Sequence, residues 1–273
     1  MNPITSFIKR YPQATFWALN WTTWTFAWYM GSKYPSDLWN FFLFGPFLTG
    51  VLVTAIADGR SGLRTFFGRM FRWRVGLRWY AVALFLPVVL RLAAAGLNIL
   101  SGAVMPANIQ LPPWPELLAG FLFPSLLFIA LGEEPGFRGF ALPRLLAGRS
   151  ALSAALILGV LHAIWHIPLF IFGSDPPLIA AMVISGAVLN TWLFIHTNGS
   201  VLLAMLLHAS INLMVDIFNP LFTGADAERH LIMQVVVFVA MAVLLPLLTG
   251  RELGRKPETA VRVVATDRPA VAK

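Results

Sequence analysis

The chain has 273 residues, of which 58% are apolar and 12% charged, with a mean hydropathy of +0.74 and a formal net charge of +8. That balance excludes disordered, collagen-like and disulfide-stapled classes, and apolar runs of about 20 residues, the length needed to cross roughly 30 Å of hydrocarbon, place the chain in a bilayer. The absence of cysteine removes thiolate metal sites, a cysteine nucleophile and disulfides.

Uninterrupted apolar length predicts an all-α, polytopic integral membrane bundle of about eight transmembrane helices: 12–30, 39–57, 79–100, 116–134, 151–172, 177–195, 200–218 and 230–249. The first run follows Lys9-Arg10 without a small-residue cleavage site, so no cleavable signal peptide is expected. Segment 62–78 interleaves arginine with large aromatics and reads as a short helix lying in the membrane interface. The tail after Gly250 is polar and expected to be mobile. Four stretches follow: 1–113, three spans and the basic interfacial segment; 114–218, spans four to seven; 219–250, the eighth span; and 251–273, a cytoplasmic tail.

The basic residues follow this topology. Lys9 and Arg10, the arginines from Arg60 to Arg78, Arg138, Arg144 and Arg149, and the six basic residues from Arg251 onwards fall on one side, 17 of the 20 Lys and Arg. Lys33 and Arg229 fall on the other, and Arg91 lies within the third span. The asymmetry puts both termini in the cytoplasm, and the compact chain suggests a bacterial inner membrane. It also argues against nucleic acid as a partner, because the arginines mark span ends and not one groove-shaped face; anionic lipid at the basic loops is the expected contact.

Ionisable groups inside spans are costly unless paired or wetted, so the few present are informative. Glu134 and Arg138 lie four residues apart and can pair, leaving Glu133 available, although Pro135-Gly136 makes a regular helix through this point unexpected. His162 and His166 share a helix face, a spacing that can hold a metal or a water. Folding the hairpin about Gly148-Arg149-Ser150 sets Glu133 opposite His166, a carboxylate and an imidazole able to activate water. His208 and Asn212 are again one turn apart and can either donate to an oxyanion or tie helices together. Arg91 and Asp216, towards the outer ends of their spans, can pair with each other.

In order, Glu-Glu-x-x-x-Arg (Glu133, Glu134, Arg138), Trp-His-x-Pro (Trp165, His166, Pro168) and His-x-x-x-Asn (His208, Asn212) on separate spans resemble the CPBP intramembrane proteases, which include CAAX prenyl endopeptidases and bacteriocin-processing or immunity proteins. The resemblance covers roughly residues 114–218 and implies that Glu133 activates the attacking water with His166, that His208 and Asn212 stabilise the oxyanion, and that Glu134 and Arg138 support Glu133. It leaves open a zinc-dependent route, with Glu133, His166 and His208 as candidate ligands, and a metal-free one in which Glu133 is the base. The family commonly has Phe where this chain has His162; packing in place of that ring is the reading adopted, with donation to substrate or metal as alternatives.

The function expected is hydrolysis of a peptide bond in a membrane-associated peptide or protein, a prenylated CAAX tail or a leader peptide, near the cytoplasmic side. The alternatives are a catalytically idle scaffold or immunity protein and a small ion-coupled transporter, the latter weakened by the lack of inverted repeats. The sequence sets no oligomeric state.

Overall fold

The computed structural model describes residues 2–104, 109, 111–173 and 175–255. Among these there is no strand, as expected where backbone polar groups must find partners without water. Helix α1 spans Pro3–Arg10 and α2 Pro12–Lys33; a 3₁₀ stretch, Asp37–Phe44, leads into α3, Gly45–Met70; and α4 is Leu77–Leu100. A long composite helix, α5, covers Trp114–Leu146, and a second, α6, Ala151–Phe172. Three more follow, α7 (Ile179–His196), α8 (Val201–Phe218) and α9 (Gly224–Thr249).

All eight expected spans are helical, and seven are long and apolar enough to cross a membrane. The exception is α2, whose 22 residues include Asn20, Thr22 and Thr23. It holds its place through aromatics instead. Trp17, Trp21, Trp24 and Trp28 recur at helical spacing along one face. Trp17 stacks on Phe137 with ring centroids 5.5 Å apart, Trp24 on Trp165 at 4.4 Å, and Trp21 Nε1 donates to the Leu161 carbonyl at 3.3 Å. The aromatic stripe thus lies against α5 and α6, where the polar residues of interest sit.

Three local expectations need correction. The basic segment after Asp58 is not a separate interfacial helix over 62–78: it continues α3 after a break at Gly59, whose φ of 65° suits a residue without Cβ, and it ends at Met70. Its Phe66 and Arg69 are buried, and Arg69 Nη1 donates to the Gly139 carbonyl at 3.2 Å, so this arm packs into the protein. Pro135-Gly136 does not interrupt α5. The helix widens into π-turns at Phe121–Ala130 and Pro135–Ala141, with ordinary helix over Leu131–Glu134 between them. An i+5 pattern relieves the clash of a proline ring with the preceding turn without ending the helix. The start of the tail is also ordered: Leu253 is fully buried, the Arg251 carbonyl accepts from the Leu152 N–H at 2.9 Å, and Arg255 Nη2 donates to the Arg149 carbonyl at 3.1 Å. The rest of the expected mobile tail, 256–273, lies outside the described residues.

The up-and-down order is fixed by contacts at both ends of the bundle. At one end Arg144 pairs with Asp58, Arg72 donates to the Asn198 carbonyl, and Ser200 Oγ donates to the Arg72 carbonyl at 2.6 Å. At the other, Asp226 pairs with Arg229, its carbonyl accepts from Asn98 Nδ2 at 3.0 Å and its Oδ2 from the Val104 N–H at 3.0 Å. The arginine-rich loops therefore gather at one end.

Close backbone approach then brings α3 onto α5 beside the two glutamates. A Cβ on Gly132 would lie 2.6 Å from the Leu43 carbonyl oxygen, and one on Gly136 2.3 Å from that of Pro46. Two glycines one turn apart form the groove that admits the start of α3, as small residues do between membrane helices.

Candidate active site

Glu134 is the polar hub of the bundle interior. Its Oε1 accepts from Arg138 Nη1 and from His208 Nδ1, both at 2.8 Å, and its Oε2 from Asn190 Nδ2 at 3.3 Å. Helices α5, α7 and α8 are tied together by one carboxylate that is 1% exposed. A buried anion is tolerable only with such a set of donors and a compensating cation, here the equally buried Arg138. The expected Glu134–Arg138 pair is therefore present. Asn190, which the sequence reading passed over, completes it; the available signal was an amide in the otherwise apolar run of α7.

Glu133 is held more lightly. Its Oε2 lies 3.2 Å from His162 Nε2, while Oε1 has no hydrogen-bond partner among the described residues. Hairpin counting sets His166 opposite this carboxylate; the imidazole bonded to it is that of His162, one turn earlier on α6. Glu133 is thus less free than expected. His162 does pack as an aromatic, its ring centroid 4.2 Å from that of Phe137, but its Nε2 also points at a carboxylate that Phe could not touch. Its Nδ1 is buried without a partner.

His166 sits where α6 breaks between Trp165 and Ile167. Its Nδ1 lies 3.0 Å from the His162 carbonyl oxygen, which also accepts its backbone N–H at 3.1 Å. A carbonyl can only accept, so Nδ1 carries a proton, and Nε2 is left to face other partners. His208 is oriented likewise through Nδ1 by Glu134, which leaves its Nε2 for other partners.

These groups line one cavity of about 520 Å³. Glu133, Glu134, Arg138, His162 and Asn190 form its buried floor; His166, His208 and Asn212 lie on its half-buried walls; and Asn40, Asp216 and Asn219 are exposed at its rim. The rim residues stand at the end of the bundle away from the arginine-rich loops. Arg91 and Asp216 both line it without pairing: Arg91 Nη1 donates to Gln234 Oε1 on α9.

Glu133, His166 and His208 are the candidate ligands for zinc. Among the described residues no three His, Asp or Glu side chains converge closely enough to hold a metal ion. The arrangement does not fit a three-ligand site.

Residues 114–214 match the family described as type II CAAX prenyl endopeptidase Rce1-like. A protein of Methanococcus maripaludis named CAAX prenyl protease 2 is 22% identical over 192 residues, which cover 63% of this chain and 68% of that protein. Glu133, His166, His208 and Asn212 all fall within the matched region, whereas Arg91 and Gln234 do not. With the ordered motifs already described, residues 114–214 of this multi-pass helical bundle are similar to the Rce1-like, type II CAAX prenyl endopeptidase family.

Proposed function

We propose that the chain hydrolyses a peptide bond of a membrane-associated substrate, with Glu133 as the general base that activates water. The observation that carries this reading is the contrast between adjacent carboxylates in one cavity. Glu134 accepts hydrogen bonds through both oxygens and serves as scaffold, while Glu133 keeps one oxygen without a partner. In this reading a water bound between Glu133 and the Nε2 lone pair of His166 attacks the scissile carbonyl, and its proton passes to Glu133. His208 and Asn212 face the developing oxyanion from α8. To donate through Nε2, His208 must carry protons on both nitrogens, with Glu134 as its counter-charge. The proton held by Glu133 then goes to the leaving amine.

The reading extends to sidedness. The excess of basic residues in its loops supports a cytoplasmic position for the arginine-rich end of the bundle, in contact with anionic lipid. The rim of the cavity then faces the opposite side of the membrane, which favours a substrate segment presented from outside, such as a leader peptide, over a cytoplasmic prenylated tail.

The test is cleavage of a quenched fluorogenic peptide library by purified protein, with and without chelator. Peptide cleavage is expected, with His208→Ala and Asn212→Ala each reducing turnover by about 100-fold. Absence of any cleavage across membrane-anchored and soluble peptides would overturn the reading.

A further inference from the structure

Beside the catalytic cavity lies a smaller pocket of about 220 Å³ that the proposed chemistry does not use. Most of it is built by α2 and the 3₁₀ stretch that follows, outside residues 114–214. Trp24, Trp28 and Trp39 wall it, Phe172 closes it from the end of α6, and Ala27 and Gly31, one turn apart on α2, leave room between the rings. A Cβ on Gly31 would lie 3.4 Å from Trp39 Cδ1, so a larger side chain at this position grows against the Trp39 wall. None of the described residues lining the pocket is charged. Several of its polar groups are already spent on backbone: Trp39 Nε1 donates to the Tyr34 carbonyl and Ser32 Oγ to that of Tyr29, both at 2.7 Å, and Ser36 Oγ accepts from the Leu38 N–H at 3.3 Å.

We infer that this pocket is a specificity site for one aromatic side chain of the substrate, which rests on the reading of the neighbouring cavity as a peptide site. Size sets the first limit. A dry cavity of about 150 Å³ holds one benzene ring, whereas sites for whole small molecules begin near about 300 Å³, so this pocket suits a single large side chain. Chemistry sets the second. Uncharged aromatic walls favour a ring, whose edge-to-face and offset contacts add to its burial, over a cation that would find no carboxylate here. Position sets the third. Trp24, Trp28 and Asn40 line both the pocket and the catalytic cavity. Trp24 stacks on Trp165 at 4.4 Å, and Trp165 meets the His166 ring edge-on at 5.3 Å. The Trp24 ring therefore stands within about 10 Å of that imidazole, the reach of about three extended residues. A substrate strand crossing the site can thus seat one side chain in the pocket while a nearby peptide bond lies at the catalytic groups. The pocket opens beside Asn40 at the rim of the cavity, the end from which a leader segment would enter.

Binding and cleavage are read separately. Fluorescent peptides of Ala and Val, blocked at both ends and carrying one central Phe, Leu, Lys or Ala, are titrated into full-length Glu133→Gln protein in nanodiscs of zwitterionic lipid, with binding to empty nanodiscs subtracted. The Phe peptide is expected to bind about 10-fold more tightly than the Ala peptide, with Leu between them and Lys no better than Ala. Gly31→Leu, which fills the pocket from α2, should bring the Phe peptide down to the affinity of the Ala peptide. Phe172→Ala, at an exposed position, opens one wall and should lower the preference should Gly31→Leu fold poorly. A Phe peptide that binds no better than the Ala peptide would overturn the inference and leave the protease reading standing, as would a preference that persists in both variants. Tighter binding of the Lys peptide would also overturn it, assigning the ring faces to a cation. Ring-dependent binding by a protein whose unaltered form cleaves no peptide of the library would keep the pocket and overturn the protease reading, and absence of binding by every peptide would overturn both.

Discussion

His162 Nε2 lies 3.2 Å from Glu133 Oε2, with both side chains inside the bundle. The contact fixes one oxygen of the carboxylate and leaves the other to the cavity, so His162 acts on the reaction through Glu133 and is a positioning residue. His162→Phe keeps the planar bulk against Phe137 and removes the donor. Turnover should fall by roughly 10- to 100-fold, the worth of one hydrogen bond to a charged group, while Tm changes little. His162→Gln, which restores an N–H donor, should recover part of the loss, a rescue that mere packing would not produce. Unchanged turnover in His162→Phe would return the residue to a packing role.

Glu134 and Arg138 form a buried pair at 2.8 Å. Glu134→Gln leaves the cation uncompensated and should destabilise the protein by about 3 kcal/mol, read as a lowered thermal midpoint in detergent. The double variant Glu134→Gln with Arg138→Met removes both charges and should recover much of that stability without recovering activity, because His208 loses its anionic partner. A double variant as unstable as the single one would show that the pair does more than balance charge.

Part of this site is legible in the sequence. The i, i+4 spacing of Glu134 and Arg138 survives because the helix they occupy continues across Pro135, and apolar run length marks α4 to α9 because hydrocarbon thickness imposes it. The Glu133 partner is not legible. Counting residues about the turn at Gly148 assumes an even rise along both arms, and the π-turns of α5 break that assumption; Pro135 marks a disturbance there without saying how the helix accommodates it. Asn190 was within reach, since an amide in the apolar run of α7 requires a partner, but which partner depends on how α7 packs against α5. The aromatic stripe of α2 misleads a hydropathy reading in another way: tryptophan scores low on such scales yet supplies large stacking surfaces.

Gly136 is predicted to be intolerant of even one added carbon. A methyl there would lie 2.3 Å from the Pro46 carbonyl oxygen, a backbone atom that cannot swing aside. Gly136→Ala should cost about 1–3 kcal/mol of stability and displace the turn carrying Glu133. Normal Tm and normal turnover together would show that α3 can retreat from α5 without consequence.

The natural absence of cysteine makes sidedness directly measurable. Single cysteines at Arg74 or Arg149, in the arginine-rich loops, should resist a membrane-impermeant maleimide in intact cells and react after permeabilisation. Cysteines at Tyr34 or Ala225, at the other end, should react in intact cells. The reverse pattern would invert the proposed orientation and turn the rim of the cavity towards the cytoplasm.

The most direct measurement for Glu133 as base is turnover of a fluorogenic peptide by Glu133→Gln protein of unchanged Tm. The amide preserves the shape of the side chain and its contact with His162 but cannot take a proton from water. Turnover should fall to background while peptide binding persists. Cleavage at an appreciable fraction of the wild-type rate would contradict the assignment and move the base elsewhere in the cavity.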